Sequence, residues 1–231
     1  IDGDMLLYRA AWATDKESEM NSKSSFIFIL YGILDRLDSD DYVLYMSGKR
    51  NYRKDVWPLY KANRSGKRAP THINSLREFV FDMFTTKSVY GYEADDAIAE
   101  DHDPDKTIIV SLDKDFDQLV GFHYRFNKQC GLYWVNQEEA DFFSSKQVLM
   151  GDRIDNIPGL SERFPKRGIG DVRATKMLTP FDRNSALETI LSAYREKYDK
   201  DAELMIAFNT YLLALGIEGR DVWRRELEDA I

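Results

Sequence analysis

The sequence has very little cysteine and no long apolar run. Cys130 is the single cysteine among 231 residues, so neither an intrachain disulfide nor a zinc site built from thiolates is available. A lone thiol fits a reducing environment, and we expect a cytoplasmic protein. No apolar run approaches 18 residues, so we predict no membrane span. No basic stretch precedes a shorter apolar run, so we predict no signal peptide. Because Ile1 lies inside a strand-like pattern, we expect further residues before it in the full protein.

The composition is that of a folded chain with an acidic balance. There are 32 Lys and Arg against 40 Asp and Glu, which gives a net charge of −8. Apolar residues make up 43% and aromatic residues 13%, which is enough for a sizeable core and excludes wholesale disorder. At about 150 residues per domain, the length predicts one large domain or two unequal ones. An acidic total by itself argues against a nucleic-acid-binding protein.

The positive charge, however, is concentrated in one segment. Residues 49–68 contain eight basic residues and one acid, a local charge of +7, so the remainder of the chain carries −15. A smaller basic run covers residues 163–176 and has a local charge of +4. A charged run is often only a solvated face. These segments therefore indicate an anionic partner only in combination with other signals.

Strand and helix patterns alternate along the first part of the chain. Residues 41–46 and 106–112 are rich in β-branched and aromatic residues and predict short buried strands. Residues 26–37 and 73–84 carry apolar residues at helical spacing. This alternation predicts βαβ units around a mostly parallel sheet. From about residue 137 the pattern is helical, so we expect a second, helical region with a packed junction near residue 140.

Four acidic clusters lie beside these elements. Because the carboxyl ends of parallel strands meet at one crevice, we expect the clusters to converge. Converging carboxylates repel one another, and Mg²⁺ or Mn²⁺, which prefer oxygen ligands, would relieve that repulsion. A single Asp after a strand is more often a turn former or helix cap, whereas four clusters together favour a metal site. The clusters are Asp2 with Asp4, then Glu93 with Asp95 and Asp96, then Asp113 with Asp115, and finally Asp152 with Asp155.

Two families compete for these acids. Asp2-Gly3-Asp4 and the run from Gly151 to Asp155 resemble the first and last signatures of haloacid-dehalogenase-like phosphatases. In that interpretation Asp2 is a nucleophile and Asp4 a general acid. The cluster from Glu93 to Asp96 is then left without a role.

A second resemblance uses far more of the chain. It rests on an ordered series of motifs: DGD at 2–4, NYRK at 51–54, YKANR at 60–64, YEADD at 92–96, DKD at 113–115, GDRIDNIPG at 151–159 and GIG at 168–170. This series resembles the 5′-nuclease family, which includes flap endonucleases, the 5′-nuclease domains of bacterial DNA polymerases and small bacteriophage 5′–3′ exonucleases. The match covers roughly residues 1–180, and the size is most similar to that of the phage members.

The resemblance implies a fold and a metal site. The fold would be a PIN-like α/β core over residues 1–140 with a mostly parallel central sheet and a helical arch at 49–72. A helix-hairpin-helix region would follow at 141–231, packed on the core. Two Mg²⁺ ions, replaceable by Mn²⁺, would activate water and stabilise both oxygens of an in-line displacement. Their implied ligands are Asp2, Glu93, Asp95, Asp96, Asp113, Asp115, Asp152 and Asp155.

The resemblance also implies contacts to DNA. Lys61 and Arg64 would steer and polarise the scissile phosphate and so act as catalytic residues. In the same segment Arg53 and Lys54 are spaced to contact phosphates, and Tyr60 could stack on an unpaired base, although packing is an equally ordinary role for such an aromatic residue. The backbone of a helix-hairpin-helix loop would bind phosphate and K⁺. The residues expected there are Gly168, Ile169, Gly170 and Lys176.

One position departs from the family pattern. Many relatives have an Asp at the end of the strand before the arch, whereas this chain has Ser47. The first metal site is therefore one carboxylate short. We expect Asp4, or a water held by Ser47, to take that place.

Taken together, the sequence predicts a metal-dependent 5′-nuclease. Its expected substrates are DNA 5′ ends, flaps and RNA primers in phage replication or recombination, where the protein would work in the host cytoplasm. We expect a monomer that can meet other replication proteins. The alternatives are a PIN-type ribonuclease, the phosphatase described above, and a DNA-binding module without catalysis.

Overall fold

A computed structural model describes residues 1–127, 131–160 and 169–216. The chain forms two compact units. The first unit comprises residues 1–52, 66–116 and 121–134, and the second comprises residues 53–65, 117–120 and everything from Val135 onward. The division therefore assigns residues 53–65 of the basic segment to the unit that contains the C-terminal helices. The boundary expected near residue 140 stays a prediction.

The first unit is mixed α/β. The elements of this unit are α1 (Gly3–Ala13), α2 (Glu19–Leu37), β1 (Leu44–Asn51), α4 (Ile73–Met83), β2 (Thr86–Gly91), α5 (Ala94–Asp101), β3 (Ile108–Val110), β4 (Gly121–Arg125) and most of β5 (Gly131–Val135). Strand β1 pairs in parallel with β2, and β3 pairs in parallel with β4 within a three-stranded sheet of order β3-β4-β5. The parallel pairing confirms the predicted fold class.

Ile1 and Asp2 link the two sheets of this unit. The Tyr45 N–H of β1 donates to the Ile1 carbonyl at 3.0 Å, and the Asp2 N–H donates to the Val110 carbonyl of β3 at 2.9 Å. The expected first strand is thus reduced to a single parallel bridge between Asp2 and Tyr45. It ends there because α1 begins at Gly3. A side chain at Gly3 would overlap Met46 and the Tyr45 carbonyl, so only glycine lets the helix start this close to β1.

The core of the first unit follows from the apolar spacing seen in the sequence. Fully buried members from α1, α2, β1 and α4 include Leu6, Phe26, Leu30, Leu44 and Leu76. The helices predicted at 26–37 and 73–84 are both present, the first with seven further residues at its start. Strands β2, β4 and β5 were not predicted from the sequence.

The second unit is helical. Its elements are most of α3 (Tyr52–Val56), a 3₁₀ turn at Ala62–Arg64, α6 (Gln137–Met150), α7 (Asp171–Met177), α8 (Arg183–Tyr198) and α9 (Ala202–Leu213). Val148, Leu149, Ile190, Tyr194 and Ile206 form the centre of its core. The predicted helical character after residue 137 is confirmed. Between residues 49 and 72, the helical segments are α3 and the 3₁₀ turn. Pro58, Gly66 and Pro70 lie between and after them, where they disfavour a continuous helix.

Candidate active site

Asp2 is a deeply buried member of the predicted metal ligands in the first unit. It caps α1, because its Oδ1 accepts a hydrogen bond from the Met5 N–H at 2.9 Å. Its Oδ2 accepts from the Ser111 hydroxyl at 2.7 Å. Only 4% of the residue is exposed. The end of β3 and the start of α1 therefore fix both carboxylate oxygens.

The electrostatic environment of Asp2 disfavours its charge. Burial raises the pKa of Asp2 to about 6, and the nearby charges of Asp4 and Asp113 contribute to the rise. The hydrogen bonds from Met5 and Ser111 lower the pKa and offset part of this effect. A carboxylate that is buried beside two others is a position that a cation would stabilise.

Both carboxylate oxygens of Asp4 accept hydrogen bonds. Its Oδ2 accepts from the Ser47 N–H at 2.7 Å, and its Oδ1 accepts from Arg77 Nη2 at 2.7 Å. Ser47 in turn accepts, through its hydroxyl, a hydrogen bond from the Ala94 N–H at 2.9 Å. Each oxygen keeps a second lone pair, and the role of Asp4 as a substitute ligand stays a prediction. Arg77 was not identified in the sequence, because no motif connects it with Asp4.

The acidic cluster at the start of α5 also has local roles. Glu93 is the N-cap residue and forms a capping box with Asp96, whose carboxylate accepts from the Glu93 N–H at 3.2 Å. Asp96 is completely buried, whereas Glu93 and Asp95 are half-buried. The capping role proposed as the ordinary alternative is thus present. It does not exclude metal binding by the remaining carboxylate oxygens.

Asp113 and Asp115 follow β3 directly. The Asp113 N–H donates to the Ser111 hydroxyl at 3.0 Å, and the Asp115 N–H donates to Asp113 Oδ1 at 3.0 Å. Ser111 consequently contacts both Asp2 and Asp113. A polar residue at the end of a short apolar strand is the signal that could have revealed it.

The predicted ligands suit Mg²⁺ or Mn²⁺ by donor type, since all of them are carboxylates. In the part of the chain that the structure describes, no group of three or more His, Cys, Asp or Glu side chains is arranged to hold a metal ion. The fit therefore rests on the donor chemistry and on the repulsion around Asp2. It does not rest on an assembled coordination shell.

In the second unit, Asp152 shapes its own loop. Its Oδ1 accepts from the N–H groups of Ile154 at 2.6 Å and Asp155 at 3.2 Å. The main chains of Asp152 and Ile157 exchange two hydrogen bonds, at 3.0 and 2.7 Å. The carboxylate of Asp152 is buried at the base of this turn. The loop thus presents the two predicted ligands from a closed backbone ring.

Asp155 brings together three residues that the sequence singled out. Its carboxylate contacts Arg64 Nη2 at 2.7 Å, Lys61 Nζ at 3.3 Å and the Tyr60 hydroxyl at 3.0 Å. The main chain adds a hydrogen bond from the Lys61 N–H to the Asp155 carbonyl at 2.9 Å. The predicted catalytic cations and a predicted metal ligand therefore share one cluster within the second unit.

Residues 1–149 match the sequence model of a family described as 5′–3′ exonuclease, N-terminal resolvase-like domain. The chain belongs to this 5′–3′ exonuclease family.

Within residues 1–127, 131–160 and 169–216, no helix combines the length and the apolar character that a membrane crossing requires.

Relatives of this family member include a 5′–3′ exonuclease of Buchnera aphidicola, which is 27% identical over 73% of this chain and 66% of its own length. The DNA polymerase I of Caldicellulosiruptor bescii is 28% identical over 88% of this chain. That of Bacillus subtilis is 25% identical over 85%. The chain spans only about a quarter of the length of these polymerases, at 27% and 24%.

Solved structures with the same fold come from bacteriophage T5. Its 5′-exonuclease with bound zinc ions superposes with a TM-score of 0.61 at 19% identity, covering 99% of this chain and 97% of the other. A T5 flap endonuclease complex with DNA and metal ions gives a TM-score of 0.61 at 17% identity, covering 99% and 96%. These likenesses confirm the PIN-like fold expected for a 5′–3′ exonuclease family member.

Two predicted DNA contacts require correction. Arg53 is only 2% exposed, and its guanidinium donates to the carbonyls of Leu212 at 2.8 Å and Ala214 at 2.9 Å. Tyr60 is 3% exposed and packs in the core of the second unit. Neither side chain is placed to contact a phosphate or a base, because both are buried within the second unit. The charge count and the aromatic spacing could not distinguish these roles.

The other predicted DNA contacts differ in their placement. Lys54 and Lys176 are exposed, and half of the Arg64 side chain is exposed, so all three are accessible to a ligand. Gly170 is the N-cap of α7, and Ile169 before it is half-buried. The prediction for Gly168 lies outside the described residues. The proposed phosphate and K⁺ contacts of this loop stay predictions.

Proposed function

We propose that this protein is a metal-dependent 5′-nuclease that hydrolyses phosphodiester bonds at DNA 5′ ends and flaps. The observation that carries the proposal is the buried carboxylate of Asp2, held beside Asp4 and Asp113 in a member of the 5′–3′ exonuclease family. Such repulsion is costly for a fold and is expected where a cation binds. RNA primers and a role in phage replication belong to the same proposal.

Eight carboxylates of the chain would bind the metal ions. The ligands would be Asp2, Glu93, Asp95, Asp96, Asp113, Asp115, Asp152 and Asp155. Bound Mg²⁺ ions, or Mn²⁺ in their place, would lower the pKa of a coordinated water and stabilise charge on the attacking and leaving oxygens. Ser111 would hold the orientation of Asp2 through its hydroxyl. No protein nucleophile is required.

Lys61 and Arg64 would orient the scissile phosphate. Both now neutralise Asp155, and a guanidinium can form paired hydrogen bonds with a phosphate as readily as with a carboxylate. Exposed Lys54 and Lys176 would add contacts to the DNA backbone. We therefore expect DNA affinity to fall steeply as salt concentration rises.

A nuclease assay tests the proposal. The substrates are a 5′-labelled duplex and a 5′ flap, with Mg²⁺ or EDTA. We expect cleavage only with metal, and a loss of at least a hundredfold for Asp113→Asn and Asp152→Asn. Asp105→Asn, an exposed acid of the first unit, is the matched control and should retain wild-type rates.

The products distinguish the modes of action and the alternatives. Mononucleotides indicate exonuclease action, whereas a released oligonucleotide indicates flap cleavage. Wild-type rates for both Asp113→Asn and Asp152→Asn would contradict the site. Turnover of a small phosphomonoester without cleavage of 5′-ended DNA would favour the phosphatase instead, and cleavage confined to RNA would favour a PIN-type ribonuclease.

A further inference from the structure

The loop that carries Asp152 and Asp155 is closed by two glycines. Gly151 and Gly159 stand at its ends, with φ angles of 67° and 55° that L side chains rarely adopt. A side chain on Gly159 would collide with the backbone of Gly151, so the two ends of the loop are in contact. We call this contact between Gly151 and Gly159 the neck of the loop. The loop is also bonded across by Asp152 and Ile157, and Trp57, Lys61 and Asn63 bond to its residues 153–156. The groups that hold the neck therefore contribute to the orientation of the loop together with these contacts.

Asn209 of α9 holds that neck. Its Oδ1 accepts a hydrogen bond from the Gly159 N–H at 2.8 Å, and its Nδ2 donates to the Met205 carbonyl one turn earlier in the helix at 2.8 Å. The residue is 0% exposed. The amide thus satisfies one loop donor and is itself oriented by the helix.

Main-chain groups of α6 also contact the neck, since the Gly151 N–H donates to the Gln147 carbonyl at 2.7 Å and the Leu160 N–H donates to the Leu149 carbonyl at 2.9 Å. Two further contacts come from side chains. The Tyr198 hydroxyl donates to the Gly159 carbonyl at 3.3 Å, and Lys197 Nζ donates to the Leu160 carbonyl at 2.7 Å. Both come from the last turn of α8. Asn209 provides the short hydrogen bond to the Gly159 peptide from inside the core.

An asparagine at this position is an unusual choice for stability alone. Asparagine is a poor helix former, and a buried amide is tolerated only when it is hydrogen-bonded. Leucine, which has the same branching and the same number of side-chain heavy atoms, would favour the helix. The polar residue therefore provides something other than packing, and the structure shows what it bonds to.

We propose that Asn209 is a positioning residue that sets the orientation of Asp152 and Asp155 for binding divalent metal. The inference rests on the proposed function, in which these two carboxylates are ligands. Groups that orient ligands through a second layer of hydrogen bonds typically change metal affinity by 10–100-fold. Asn209 acts one step further back, through the Gly159 peptide, and so we expect an effect near the lower end of that range.

The test compares Asn209→Leu with wild type in the full chain. We expect the Mg²⁺ concentration for half-maximal cleavage to rise about tenfold, while the rate at saturating Mg²⁺ changes less than threefold. Mn²⁺ binding without DNA, followed by electron paramagnetic resonance, should weaken by the same factor. Thr210→Val is the matched control, because Thr210 is the buried neighbour on α9 and its hydroxyl has no hydrogen-bond partner among the described residues.

The outcomes separate this inference from the proposed function. A folded Asn209→Leu protein with wild-type Mn²⁺ affinity would overturn the positioning role, even if wild type cleaves DNA. A wild-type protein that binds Mn²⁺ but cuts no DNA would overturn the proposed function and leave the metal-binding comparison valid. If Asn209→Leu does not fold, Tyr198→Phe removes the second hydrogen bond to Gly159 and should weaken Mn²⁺ binding two- to threefold. An unchanged affinity in that variant would also contradict the inference.

Discussion

Replacing the buried Arg53 by methionine should destabilise the protein rather than weaken its affinity for DNA. Methionine keeps most of the apolar stem but removes the two donors to the carbonyls of Leu212 and Ala214. Hydrogen bonds from a charged donor contribute about 1.5–3 kcal/mol each. Burying a guanidinium is itself costly, which offsets part of that sum. We expect the free energy of unfolding to fall by about 2–4 kcal/mol.

The assay is guanidinium denaturation followed by circular dichroism, in parallel with DNA binding at several salt concentrations. Lys54→Met is the control, because it removes the same charge from the next residue, where the side chain is exposed. We expect Lys54→Met to change stability by less than about 0.5 kcal/mol. Lys54→Met should instead reduce the slope of log affinity against log salt concentration by about 1, the value expected for the loss of one phosphate contact.

The reverse pattern would refute the reasoning. If Arg53→Met left stability within about 0.5 kcal/mol of wild type and reduced the salt slope, the guanidinium would be a phosphate contact after all. Arg53→Lys adds a further check. A lysine keeps the charge but cannot bridge two carbonyls with the same planar geometry, so an intermediate loss of stability is expected.

Two further predictions concern carboxylates. In EDTA at pH 8, Asp2→Asn should stabilise the protein by up to about 3 kcal/mol. The pKa of Asp2 is raised from about 4 to about 6, so its ionisation opposes folding as the pH rises through this range. A variant that is no more stable than wild type in urea denaturation would contradict this prediction. Asp15 has a lowered pKa because Arg68 and Thr71 bond to its carboxylate, so its contribution is present above about pH 4 and lost as pH falls below that value. The stability difference between wild type and Asp15→Asn should therefore be larger at pH 7 than at pH 3, and a difference that is independent of pH would exclude the ion pair as its cause.

The sequence was a good guide to elements whose signal is local. The helices around residues 26–37 and 73–84 depend on apolar spacing within each segment, and both formed. Strands β2, β4 and β5 were not predicted, because pairing with a neighbour contributes more to the conformation of such segments than their local sequence does. Arg53 was misassigned for a related reason. A count of charges does not indicate where a long side chain ends.

What the sequence alone determined was the family, and it also supplied the carboxylates that are proposed as metal ligands. The ordered motifs from Asp2 to Asp155 are contiguous stretches, each readable without knowing the fold. Only the tertiary structure decided the groups that hold these carboxylates in place. Arg77 reaches Asp4 across 73 positions of sequence, and Asn209 reaches Gly159 across 50. Such pairs depend on how helices and strands pack, and packing is a property of the whole core that no single stretch of residues encodes.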